Sequence, residues 1–122
     1  MQFETDYFRD DNGKEYIKTY LDNLKKISKS LWEKVWAYLK NNINDSQYHI
    51  MPFWKPLGGG IYEIRLRFSK LKSRIYCCFS GERKITLLLG GDKKNQERDI
   101  LKARQLKVKV EERIKYEKNK SR

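Results

Sequence analysis

The sequence is poor in the residues that bind metals or cross-link chains. It holds one histidine, His49, and two cysteines, and these are neighbours, Cys77 and Cys78. Adjacent cysteines do not meet the geometry of an ordinary structural disulfide. No His or further Cys stands at metal-ligand spacing from them, so no metal pattern forms. Long apolar runs are also missing: nothing approaches the ~20 residues that span a bilayer. The opening Met1-Gln2-Phe3-Glu4-Thr5-Asp6 has neither the basic start nor the apolar stretch of an export signal. These absences predict a cytoplasmic protein with no membrane partner.

What is present is charge and a modest core. The 122 residues are 39% hydrophobic and 13% aromatic, enough for one globular domain over residues 1–122 despite 36% charged side chains. The net charge of +12 is unevenly placed. Residues 1–54 carry 8 basic and 8 acidic side chains, residues 55–84 carry 8 and 2, and residues 92–122 carry 12 and 6. The whole excess therefore lies in the second half. Such a one-sided field points to a polyanionic partner: nucleic acid, an acidic membrane surface or an acidic protein.

Gln2 to Tyr7 reads as a short first strand, and Asp10-Asp11-Asn12-Gly13 as a turn with a helix cap. Ile17, Tyr20, Leu21 and Leu24 make one helix face. Ser30 and Glu33 form a capping box for a second helix, with Trp32, Val35, Trp36 and Leu39 as its stripe and Asn41-Asn42 at its end. A tight polar turn between them predicts a helical hairpin.

The pattern changes after residue 44. Pro52 and Pro56 flank an extended piece, and Gly58-Gly59-Gly60 makes a turn. From Ile61 to Phe68 the alternation is complete: Tyr62, Ile64, Leu66 and Phe68 on one face, Glu63, Arg65 and Arg67 on the other. Ser69 to Ser73 reads as a polar loop, Arg74 to Phe79 as a strand, and Ser80 to Arg83 as a hairpin turn. The strand from Lys84 to Leu89 is apolar on both faces and is predicted to be the central, most buried one. Asn95 caps a last helix from about Gln96, with Ile100, Ala103, Leu106, Val110 and Ile114 as its stripe; Lys118 to Arg122 are expected to fray. The class is α+β: an N-terminal helical hairpin packed on a small, mainly antiparallel sheet with a C-terminal helix.

Parity then assembles a candidate site. If Tyr62, Ile64, Leu66 and Phe68 face the helices, Arg65 and Arg67 project from the opposite side, and Arg74 and Tyr76 share it. Arginines and a tyrosine on neighbouring strands make a basic platform with an aromatic for base stacking. The plain alternatives are a solvated charged face and a half-buried structural tyrosine. Gly90-Gly91-Asp92-Lys93-Lys94 lies where a strand ends and a helix begins, with the lysines at the platform's rim. It lacks the order of a phosphate-binding P-loop, and Gly58-Gly59-Gly60 does not precede a helix, which argues against a nucleotide site.

Two segments carry a family resemblance. Lys55-Pro56-Leu57-Gly58-Gly59-Gly60-Ile61-Tyr62-Glu63-Ile64-Arg65 resembles a segment of the phage Gp49-like/HigB toxins of the RelE/ParE superfamily, and Arg74-Ile75-Tyr76 resembles the strand that follows it there. Leu89-Gly90-Gly91-Asp92-Lys93-Lys94-Asn95-Gln96 with Asp99-Ile100 is similar to a signature of addiction-module killer proteins in the same superfamily. The match covers roughly residues 50–105 in order; the helical hairpin fits the fold but carries no signature.

The resemblance implies a toxin of a type II toxin–antitoxin system, a ribosome-dependent endoribonuclease that cleaves messenger RNA by attack of a ribose 2′-OH on the adjacent phosphate. It implies no cofactor and no metal, a cognate antitoxin as protein partner, and messenger RNA on the ribosome as target. Matched to the family, Arg74, Arg67, Lys93 and Lys94 are the catalytic candidates; Arg65, Tyr76 and Lys55 are the RNA-binding ones. The guanidinium fork suits a phosphate whose charge grows in the transition state. Family enzymes often use a His, Tyr or Glu for proton transfer; His49 lies outside the matched motifs, Asn95 stands where Ser or Thr is usual, and Glu63 reads as an ion-pair partner. Two other functions fit the same scaffold: a ParE-like poison of DNA gyrase, and a non-catalytic nucleic-acid-binding module.

Overall fold

A computed structural model describes residues 4–41, 54–68, 71–81 and 83–120. The chain runs β1 (Glu4–Tyr7), α1 (Tyr16–Ile27), α2 (Lys29–Asn41), β2 (Trp54–Gly58), β3 (Ile61–Phe68), β4 (Leu71–Phe79), β5 (Lys84–Gly91), a 3-10 turn (Lys93–Asn95) and α3 (Gln96–Lys120). The class is α+β, as the patterning predicts. His49 and Pro52 lie outside the described residues, as do Asn42, Ser69 and the side chain of Phe68.

The five strands lie in the order β1-β5-β4-β3-β2. Four are antiparallel neighbours, while β1 joins β5 in parallel, Glu4 beside Lys84 and Tyr7 beside Leu87. The strand ahead of the hairpin thus belongs to the same sheet. Pro56 is tolerated because β2 is an edge strand. The central strand is β4, not β5. Strand β5 is apolar on both sides because both faces of the sheet are covered, and that signal cannot distinguish a middle strand from its neighbour. Strand β4 also begins at Leu71, inside the stretch that reads as a polar loop.

The two faces hold two cores. Toward the hairpin, Ile64, Leu66, Ile75, Cys77, Ile85 and Leu87 pack with Ile17, Leu21, Leu24, Val35 and Leu39. Toward α3, Ile61, Tyr76, Cys78, Leu88 and Leu89 pack with Ala103, Leu106 and Val110. A bulge lets β5 serve both: Tyr76 pairs with Leu89 but Cys77 with Leu87, so Leu88 is the extra residue. The alternating stripe read for β3 is therefore correct at Tyr62, Ile64 and Leu66, but its opposite face is not open. It lies partly beneath α3.

The helix starts differ from the expected ones. Asp10 organises its turn, accepting from the backbone N–H groups of Asn12 and Lys14, and leaves α1 without a side-chain cap. Helix α2 opens two residues before the expected box: the Leu31 N–H donates to Ser28 Oγ at 3.2 Å, so Ser28 and not Ser30 is its cap. Its buried stripe is Leu31, Val35, Tyr38 and Leu39, with Trp36 exposed. Asp92 accepts from the Asn95 N–H and caps the 3-10 turn that leads into α3. That helix runs to Lys120, and residues 121–122 lie outside the described residues.

Candidate nucleic-acid interface

Antiparallel pairing lines up side chains across the α3 face in rows. Lys55, Glu63, Tyr76 and Leu89 form one row, and Arg65, Arg74 and Gly91 the next. Arg67 stands opposite Lys72 in the third. Opposed residues share a face, so Arg65, Arg67 and Arg74 converge as their parity predicts. The 3-10 turn bearing Lys93 and Lys94 packs against β4 beside them.

These cations differ sharply in access. Arg67, Lys72, Lys55, Lys93 and Lys94 are exposed. The Arg65 side chain is 34% exposed, while that of Arg74 is 8%. Arg74 is enclosed because it sits on the central strand beneath the start of α3. Its Nη1 lies 3.3 Å from Glu63 Oε1, and its Nε is buried with no protein partner.

Glu63 organises the cluster. It is fully buried and takes three donors: Arg65 Nε at 2.7 Å and Arg74 Nη1 at 3.3 Å on one oxygen, Gln96 Nε2 at 2.8 Å on the other. Burial pushes its pKa up, but the hydrogen bonds from Arg65 and Gln96 and the charges of both arginines outweigh that and leave it lowered. The carboxylate stays ionised and keeps two like charges side by side. Glu63 is thus an ion-pair partner, as its mid-strand position implies.

Tyr76 does not fit its expected role. It is 0% exposed, packed in the core under α3. A ring with no free face cannot stack on a base, so the stacking expectation fails. Its hydroxyl is buried without a hydrogen bond of normal geometry. Burial, with the neighbouring Glu63 carboxylate, raises its pKa far above the ordinary phenol value.

The glycine-rich segment works by making room. A Cβ on Gly90 would come within 2.8 Å of the Tyr20 ring Cγ, and one on Gly91 would overlap the Asp99 carboxylate and lie 3.1 Å from its Cγ. Tyr20, bonded to Ser73 through its hydroxyl, and Asp99 therefore press directly against the strand end. Burial raises the pKa of Asp99; the charge of Asp92 adds to this and that of Arg98 opposes it. Gln96 and Asp99 both stand in the quoted signature, yet residue type alone gave them no role. Their function depends on the strand register that brings Glu63 and Gly91 beneath the first turn of α3.

A cleft of about 380 Å3 opens beside this cluster, lined among others by Tyr20, Lys72, Asn95 and Asp99. Among the described residues no helix is long and apolar enough to cross a membrane. The family model described as phage-derived protein Gp49-like (DUF891) matches residues 20–108, well over half of the chain. The curated proteins contain no match to it.

Proposed function

The chain belongs to the phage-derived Gp49-like family, a family of RelE-like toxins associated with toxin–antitoxin systems, and from that premise we propose that it is a ribosome-dependent endoribonuclease acting on messenger RNA. The observation that carries this reading is the adjacency of two cationic rows, Arg65–Arg74 and Arg67–Lys72, on one sheet face. Messenger RNA enters as an extended single strand whose phosphates follow the open end of β3 and β4. Arg67 and the exposed side of Arg65 grip the scissile phosphate. Lys93 and Lys94 add positive charge from the 3-10 turn, and Lys55 extends the field at the sheet edge.

The reaction is attack of the ribose 2′-OH on the adjacent phosphorus. Charge grows on the non-bridging oxygens, and guanidinium groups already held in place stabilise it without reorganising. Glu63 supplies that preorganisation by fixing Arg65 and Arg74. Arg74 then acts from behind, which makes it a poor single test of catalysis: Arg74→Ala also strands a buried carboxylate. A small antitoxin with an acidic surface over Arg65, Arg67 and the two lysines silences the protein by covering its cations.

The test uses Arg67→Ala in a translation reaction with purified ribosomes, mapping new messenger ends by primer extension. Wild type should cut near the A site. Loss of one guanidinium should lower the single-turnover rate by about 10²–10³-fold, equivalent to ~3 kcal/mol. Intact messenger accompanied by DNA breaks would replace this reading with a gyrase poison on the same scaffold.

A further inference from the structure

Asp99 is a largely buried carboxylate with few protein partners. It is 7% exposed, makes no hydrogen bond among the described residues, and its nearest cation, Arg98 Nε, is 3.9 Å away. The other carboxylates nearby are committed: Glu63 to three donors, Asp92 to the Asn95 N–H. A carboxylate whose side chain is left 9% exposed and without a protein donor is open to a group from outside.

Its position says what that is. Gly91 stands opposite Arg74 and completes the Arg65–Arg74 row, but it has no side chain. The Asp99 carboxylate fills the volume that a Gly91 side chain would take. Opposed Cβ positions are about 5 Å apart, so this row reads Arg65, Arg74, carboxylate. The same carboxylate lines the cleft beside Tyr20, Lys72 and Asn95, a space large enough for a nucleoside. Lys72 belongs both to this cleft and, opposite Arg67, to the cationic rows, so a phosphate held there sets its ribose toward Asp99.

We propose that Asp99 is the general base that takes the proton from the attacking 2′-OH, an inference that rests on the ribonuclease reading. The 2′-oxygen bonds to phosphorus as its proton passes to an Asp99 oxygen. The bond from phosphorus to the 5′-oxygen breaks, and that oxygen leaves with the electron pair and takes a proton from water. The products are a 2′,3′-cyclic phosphate and a 5′-hydroxyl; Asp99 returns its proton to the hydroxide left behind. The groups facing the carboxylate are Arg98 on its own helix, Asp92 before the 3-10 turn, Tyr20 on α1 and Tyr76 on β4, with Arg74 across the register from Gly91. Burial raises the Asp99 pKa above the ordinary carboxylate value, which strengthens it as a base.

The decisive measurement is single-turnover cleavage of messenger programmed into ribosomes, from pH 4 to 9, with toxin binding to the same complexes measured by co-sedimentation. Wild type should show a rate that falls on the acid side with unit slope. Asp99→Asn should lower the rate by roughly 10²–10⁴-fold, abolish the acid limb, and leave binding and the circular dichroism spectrum unchanged. Asp99→Glu should recover at least about tenfold over Asp99→Asn, with the limb restored, as expected of a repositioned base. An acid limb that survives in Asp99→Asn, or a loss of rate matched by a loss of binding, overturns the assignment. Wild-type protein that leaves messenger uncut refutes the nuclease reading itself, whatever Asp99→Asn does.

Discussion

Glu63 and Arg74 meet at 3.3 Å beneath the first turn of α3, one side chain 0% and the other 8% exposed. The pair spans β3 and β4, and Arg65 and Gln96 bind the same carboxylate from the sheet and from the helix. Site and fold are therefore joined in one cluster. Removing one member of a buried ion pair strands the other, which commonly costs more than the pair itself contributes.

Glu63→Gln should accordingly lower stability by about 3 kcal/mol, seen as a fall of roughly 10 °C in the thermal midpoint. The effect should depend on pH. The folded-state pKa of Glu63 lies below its ordinary value of 4.5, so its contribution is complete above that value and is lost as pH falls through the folded one. Urea titrations of wild type and Glu63→Gln should diverge most at neutral pH and converge in acid. Curves that stay equally separated at every pH would contradict the ionised pair.

Asp99 has the opposite sign. Its folded-state pKa is raised above 3.8, so the ionised group opposes folding above the folded pKa, and this penalty vanishes as pH falls to the ordinary value. Asp99→Asn should therefore be more stable than wild type at pH 7 and equal to it near pH 3. A destabilised variant at pH 7 would make the carboxylate a structural asset instead.

Tyr76→Phe should leave cleavage unchanged and stability equal or higher, because it removes a buried hydroxyl that has no good partner. Chemical denaturation together with the ribosome assay checks both halves. A clear loss of cleavage with the fold intact would return Tyr76 to the site.

Ser28→Ala should cost about 1 kcal/mol through the lost α2 cap, while Ser30→Ala, inside the helix, should be close to neutral. Comparing the two by urea denaturation discriminates between the observed start and the expected one. Equal effects would place the helix start elsewhere.

Period-two alternation made β3 legible, and parity carried Arg65, Arg67 and Arg74 to one face because a pleated strand leaves no other choice. What the pattern missed is depth. Nothing in Arg74-Ile75-Tyr76 distinguishes a solvated face from one roofed by a helix that arrives 20 residues later. Helix α3 reads as amphipathic from its own stripe, but which part of the sheet it covers depends on the bulge at Leu88 and on the turn at Lys93–Asn95. The Ser28 cap was hidden for a simpler reason: Ser30 and Glu33 offered a better-matched motif two residues away.

Arg104 lies over the glycine turn between β2 and β3 and donates to the carbonyls of Leu57 and Gly58 at 2.9 and 3.1 Å. Farther along α3, Arg113 does the same for the Arg9 carbonyl at 2.7 Å and reaches Asp11. These cations are mortar: they fasten the helix to backbone on both flanks of the sheet and are not at liberty to meet a polyanion. The +12 on the chain therefore overstates the field open to a polyanion. If Arg67, Lys72, Lys93 and Lys94 carry the phosphate contacts, log affinity falls with log salt at a slope near −3, about −0.7 per contact on a single strand. On the ribonuclease reading, nucleic acid meets a narrow fingertip, not the whole basic surface.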